Sequence, residues 1–232
     1  MRTLNKGLGW LGWMSLGLVA AGSAVALWVV PADGAMGDVQ RLMYVHVPTA
    51  WLAMLAFFIV FLMSVLYLVQ RKPAWDHVAV SAAEIGVMFT ALTLALGSLW
   101  GRPTWGVWWT WDPRLTTTAI MLAMYVGYLA VRGFAEEPER RARWSAVVGI
   151  VGFVNVPIVY LSVVWWRTLH QPPSSPRSMA PEFMWTLLGN LLAFTVLFVY
   201  LMRRRIHLSR LEEQLERRGP SYSAQTATAG GL

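Results

Sequence analysis

Six uninterrupted apolar runs decide what this chain can fold into. They cover roughly 8–30, 49–70, 78–99, 115–131, 145–164 and 183–202, and a helix needs about 20 apolar residues to cross a hydrocarbon layer. Lipid offers no partner to exposed backbone N–H and C=O groups, so only helices or closed barrels can span it. These runs are too long and continuous for barrel strands. The expected fold is an all-α integral membrane protein with six transmembrane helices. Hydrophobic residues make up 56% of the 232 and charged residues 13%, a balance that a soluble core does not explain. The run 115–131 is at the lower limit for a span. The first run follows Arg2 and Lys6 but is longer than a signal core, and Ala32 to Ala35 is a poor cleavage context, so it is read as a span.

The chain carries a formal charge of +7, yet its basic residues cluster beside the apolar runs, where they set topology and give no case for nucleic acid. Fourteen of the 19 Lys and Arg residues fall on one side: Arg2, Lys6, Arg71, Lys72, Arg132, Arg140, Arg141, Arg143 and the group from Arg203 to Arg218. Arg41, Arg102, Arg114, Arg167 and Arg177 fall on the other. This bias places both termini in the cytoplasm and the loops 31–48, 100–114 and 165–182 outside. The expected organisation is a six-span domain over 1–202, with an outer tryptophan-rich loop at 100–116. A charged helical extension over 203–219 and a disordered tail over 220–232 follow. There are no cysteines, which excludes disulfides, thiolate metal sites and dithiol redox chemistry.

The outer loop holds Trp100, Trp105, Trp108, Trp109 and Trp111. One or two interfacial tryptophans serve as anchors. Five, set among Gly101, Pro103, Gly106 and Pro113, form a shaped aromatic platform suited to a flat or amphiphilic ligand. Haem, a quinone or an isoprenoid-linked sugar would fit it. His46, in Tyr44-Val-His-Val-Pro48, and His170, in Trp165-Trp-Arg-Thr-Leu-His-Gln171, share the platform's membrane depth, whereas His77 and His207 fall on the basic side. A lone interfacial histidine is usually a hydrogen-bonding residue. Two beside an aromatic platform fit the paired imidazoles that hold haem iron from both faces. With both axial positions filled, such a centre carries its cargo and does not catalyse, so no enzyme activity is expected. Haem carboxylates need cations, and Arg114 is the first candidate, with Arg41, Arg102 and Arg167 equally compatible with lipid headgroups. Asp112 is expected to orient the loop.

These motifs resemble the haem exporter protein C (CcmC) family of cytochrome c maturation. The resemblance rests on Trp105-Gly-Val-Trp-Trp-Thr-Trp-Asp-Pro-Arg-Leu-Thr116 and on the two histidine segments, and it covers the six-span core. It implies haem b as bound cargo in a bacterial inner membrane, His46 and His170 as axial ligands, and a tryptophan loop contacting haem and the periplasmic haem chaperone CcmE. It also implies work alongside the ATP-binding-cassette subunits CcmA and CcmB and the small protein CcmD. The chain has no phosphate-binding Gly-x-x-x-x-Gly-Lys-Ser/Thr loop, so ATP would belong to a partner, and no Cys-x-x-Cys-His haem attachment motif.

Two other classes compete. A cytochrome b-type redox subunit usually holds haem deep between spans, while His46 and His170 are expected at loop junctions. A lipid-linked sugar transferase would use the same platform but needs outer carboxylates, of which Asp33, Asp38, Asp112 and Glu182 are available. Within the spans, Glu84 is read as a structural hydrogen-bonding group or a partner contact. Asn155 and Pro157 are expected to kink span five. The 203–218 segment is a solvated extension or a docking helix for a cytoplasmic ATPase.

Overall fold

The structure, a computed structural model, describes residues 9–171 and 179–229, with side chains of the last helix described as far as Glu216. Arg2, Lys6 and Arg177 of the charge count and residues 230–232 of the expected tail lie outside the described residues, as do the side chains of Arg217 and Arg218.

Among the described residues, seven α-helices form six membrane-length segments. Helix α1 (Gly9–Ala24) ends in a π-helical turn, Val25–Val29, and a short 3-10 turn, Asp38–Leu42, leads into α2 (Met43–Gln70). Then follow α3 (Pro73–Trp105), α4 (Pro113–Phe134), α5 (Pro138–Phe153), α6 (Asn155–Trp165) and α7 (Pro181–Ala229). Six segments are long and apolar enough to cross a membrane, with α5 and α6 together making the fifth. This is the all-α, six-span architecture expected. The predicted kink is the α5–α6 break at Val154, and the Asn155 amide donates to the Thr117 carbonyl at 2.8 Å across to α4.

Local chemistry sets the boundaries. Pro73, Pro113, Pro138 and Pro181 each open a helix, where a missing N–H costs nothing. Helix α2 stops at Arg71 in the left-handed region (φ 55°), its N–H donating to the Tyr67 carbonyl at 2.8 Å. Only Arg71 and Lys72 join α2 to α3, so the two run antiparallel and pack along their length.

The core lies between α2, α3 and α4. Leu52, Phe57, Val60, Phe89, Met121, Tyr125 and Tyr128 are fully or almost fully buried, and the Tyr125 ring stacks on Phe57 with centroids 3.6 Å apart. Close helix contact depends on small residues, as expected where lipid gives helices no hydrophobic reason to associate. A Cβ on Gly86 would come within 2.6 Å of the Phe57 ring, and one on Gly22 within 2.7 Å of the Asn190 amide oxygen.

On the side with the basic excess, the charged extension of α7 folds back onto the bundle. Arg205 forms a two-bond pair with Glu84, with Arg205 Nη2 2.7 Å from Glu84 Oε1. His77 lies between the Ser209 hydroxyl (3.0 Å) and Glu213 (2.7 Å). Arg141 pairs with Glu216. Residues 203–216 are therefore a packed element of this chain, and Glu84 takes the structural role among the two foreseen. Helix α7 runs on to Ala229, through most of the segment where composition predicts a disordered tail. Its Ala, Gln and Ser residues are compatible with a helix once a long one is already propagating.

Asp76 and Arg132 form a bidentate pair at 2.7 and 2.8 Å with both side chains largely buried. Removing one member strands the other charge. Asp76→Ala is expected to cost about 3 kcal/mol, read as a lower thermal midpoint in detergent, and Asp76→Ala with Arg132→Leu is expected to recover part of it. A double variant that loses the full sum of the two single effects would refute the coupling.

Candidate functional site at the tryptophan-rich end of the bundle

The opposite end of the bundle contains a cavity of about 440 Å³, walled by α2, α3, α4, α6 and α7 and by Leu169, His170 and Gln171. That is within the range of small-molecule and cofactor sites. Its α3 wall runs from Thr90 to Trp105, a length of about 22 Å at the helical rise, so it reaches well below headgroup depth. The lining includes the apolar side chains of Met54, Leu94, Met121, Leu187 and Leu191, with Thr90, Thr93 and Thr118 among them.

His46 and His170 meet in this cavity, their ring centroids 6.5 Å apart and their planes inclined by 32°. They arrive by different means. His46 sits on the second turn of α2, against expectation, because the helix starts at Met43 and tolerates Pro48 close to its N-terminus, where few intrahelical bonds are lost. It is buried, and its Nδ1 has no hydrogen-bond partner. The edge of Trp100 meets its ring at 5.7 Å. Gly97 leaves the room: a Cβ there would stand 3.2 Å from His46 Cε1.

His170 is carried by the segment after α6. Its Nδ1 lies 2.9 Å from the Gln171 carbonyl, so Nδ1 carries the proton and donates it, which leaves Nε2 with a free lone pair. Burial pushes its pKa below the ordinary histidine value; the Gln171 carbonyl opposes this and the Arg114 charge adds to it.

Of the expected arginines, only Arg114 lines the cavity, with Nη1 3.4 Å from the Tyr160 carbonyl. Arg41 instead caps the unravelled end of α1, donating to the carbonyls of Ala26 and of Val30 (2.9 Å) while paired with Asp38 at 2.8 Å. Arg102 caps the end of α3 through the Gly106 carbonyl at 2.7 Å and lies 5.9 Å from the centre of the Trp108 ring. Arg167 is exposed outside the cavity.

The tryptophan segment is not a loop throughout. Helix α3 continues through Gly101 and Pro103 to Trp105 and stops at Gly106, whose φ of 81° suits glycine; α4 begins at Pro113. Pro103 lies so near the helix end that it removes little hydrogen bonding. Only 106–112 is irregular. Trp100, Trp105 and Trp109 line the cavity, while Trp108 and Trp111 face outward, Trp111 being 82% exposed. Asp112 lies outside the cavity wall, buried, and caps α4 through the Arg114 N–H. Its other partners are the Thr168 hydroxyl and the Leu169 N–H. Thr168 and Gly97 carry no signal that sequence alone would single out, since a lone threonine and a helical glycine are common.

The depressed His170 pKa has a sign that can be tested. The unfolded state, with an ordinary pKa of about 6.5, binds the proton first, so wild-type stability falls as pH drops through that value and levels off below the folded pKa. His170→Gln lacks this term. Unfolding midpoints from pH 8 to 5 should therefore converge on acidification if wild type is the more stable at pH 8, and parallel curves would contradict it.

The chain is matched over residues 1–219 by the model of the family described as heme exporter protein C, CcmC. A heme exporter protein C from Bradyrhizobium diazoefficiens is 42% identical over 218 residues, covering 91% of this chain and 80% of the relative. The protein of the same name from Haemophilus influenzae is 36% identical, covering 92% and 88%, and that from Escherichia coli K12 is 32% identical, covering 93% and 89%. This six-span membrane protein belongs to the heme exporter protein C family of cytochrome c maturation components.

Proposed function

We propose that this protein holds haem b as cargo at the periplasmic face of a bacterial inner membrane, with His46 and His170 as axial ligands, and passes it to the haem chaperone CcmE. One observation carries the proposal: two histidines from distant elements face one cavity, one with an unpartnered Nδ1 and the other with its Nδ1 bonded and Nε2 free. Metal–imidazole bonds are about 2 Å long, so a separation of 6.5 Å between ring centres is one that a single iron between two imidazoles can span. No third His, Cys, Asp or Glu joins them in a metal-binding group among the described residues. Two imidazoles therefore suit a metal that arrives with ligands of its own, as porphyrin iron does.

The remaining residues take complementary parts. Trp100, Trp105 and Trp109 offer indole surface to the macrocycle, Arg114 offers a guanidinium to a propionate, and the apolar depth of the cavity accepts an apolar edge. Trp108 and Trp111, exposed at the same end, offer aromatic surface to CcmE. Asp112 serves the site without touching the cargo. With both axial positions occupied there is no open coordination site for a substrate, which favours delivery over catalysis. The charge bias supports cytoplasmic termini. The sequence has no phosphate-binding loop, which is compatible with ATP hydrolysis by a partner, CcmA, acting with CcmB and the small subunit CcmD.

The absorption spectrum of protein purified from haem-replete cells tests this directly. Wild type should show a six-coordinate low-spin haem, and His46→Ala and His170→Ala should each lose it. A colourless wild type, or a double variant with an unchanged spectrum, would end the proposal.

A further inference from the structure

We propose that Asp112 is a positioning residue for His170, holding the segment after α6 so that the imidazole faces the cavity; this rests on the haem-carrying role of His170 given above. The Asp112 carboxylate is buried and accepts three hydrogen bonds. Its Oδ1 takes the Arg114 N–H at 2.9 Å, which anchors it to the first turn of α4, and also the Thr168 hydroxyl at 2.7 Å. Its Oδ2 takes the Leu169 N–H at 2.7 Å. Thr168 Oγ1 in turn accepts the His170 N–H at 3.0 Å. Three consecutive residues, 168 to 170, are thus tied directly or through one hydroxyl to a single carboxylate.

Among the described residues the segment has few other constraints. Helix α6 ends at Trp165, Trp165 and Trp166 are about half exposed, and the side chain of Leu169 is mostly in the open. A backbone so placed keeps one geometry only if specific bonds hold it, and charge-assisted bonds to a carboxylate are the strong kind. An aspartate side chain already fixed at a helix N-cap is well suited to the task, because its own rotamer is set by α4 before it meets the loop. The aspartate of the tryptophan motif thereby joins the helix that carries Arg114 to the loop that carries His170.

The native chain has no cysteine, so a nitroxide on Gln171→Cys reports this segment alone. Asp112→Ala and Thr168→Val are each combined with that label, Thr168→Val being the milder change because it leaves the α4 cap intact. Both should sharpen the label's spectrum, and in unlabelled protein both should lower the six-coordinate haem fraction on the order of tenfold, as expected for the loss of hydrogen bonds to a charged group. Millimolar imidazole should restore the six-coordinate spectrum, and Thr168→Ser, which keeps the hydroxyl, should retain it. A wild type without the six-coordinate spectrum overturns the haem reading and the positioning role with it. A six-coordinate wild type overturns the positioning role alone if Thr168→Val leaves either the label's motion or the haem spectrum unchanged.

Discussion

The hydrocarbon layer offers no hydrogen-bond partner, and nearly every feature of this structure follows from that. Backbone groups are satisfied within helices, and many polar side chains inside the bundle close their bonds locally. Thr90, Thr93 and Thr195 each donate to the carbonyl four residues earlier, and Asn190 donates to Thr186 on its own helix and to Gly22 on α1. Where a helix is interrupted, a side chain repairs the damage. Arg41 takes the carbonyls freed at the end of α1, and at the α5–α6 break the Asn155 amide donates to the Thr117 carbonyl of α4. Charged groups are paired where they enter the spans, as Glu84 with Arg205 and Asp76 with Arg132.

Some buried polar atoms at the tryptophan-rich end remain without partners. His46 Nδ1 and the Thr110 and Thr116 hydroxyls are buried without partners. An unpartnered buried polar group costs free energy comparable to a lost hydrogen bond. Gln40 Oε1, Ser64 Oγ, the Tyr125 and Tyr128 hydroxyls and Asn190 Oδ1 are likewise without partners, so what sets the cavity apart is that His46 faces a second imidazole there, not its lack of a partner alone. The groups that carry the repair elsewhere, Arg41 and Arg102, are consumed by helix ends. Arg114 retains only one long bond to a carbonyl, which leaves most of its donors for a ligand.

The six spans were legible because apolar length is a one-dimensional property, and the break at Asn155 and Pro157 was legible because proline acts on its own helix. The meeting of His46 with His170 followed from a shared membrane depth and family resemblance, and depth is also one-dimensional. What the sequence concealed was lateral. The motif singled out Arg114, but that Arg41 and Arg102 serve helix ends depends on helix rotation and on where α1 unravels, which the sequence does not display. The helical continuation through Gly101 and Pro103 was hidden because both residues read as breakers, though near a helix end they cost little. For the same reason His46 was placed in a loop, and its true position in α2 weakens the contrast with cytochrome b-type subunits, whose histidines are helical. That contrast now rests on His170 and on the cavity's place at the tryptophan-rich end of the bundle.

The two histidines are held with unequal stiffness, and on the proposed function this inequality suits a site that must release what it binds. His46 belongs to a helix packed against α3 through the buried core, wedged between Trp100 and Gly97. His170 belongs to an exposed segment held by Asp112 and Thr168. Two rigid ligands would make a trap, whereas one rigid and one loop-borne ligand allow coordination to be lost from one side without disturbing the bundle. Local opening of a few hydrogen bonds requires much less free energy than unfolding a helix. On the proposed function, the acceptor would meet its cargo on the side of Trp108, Trp111 and the 165–171 segment, where the aromatic surface is exposed and the structure is easiest to open.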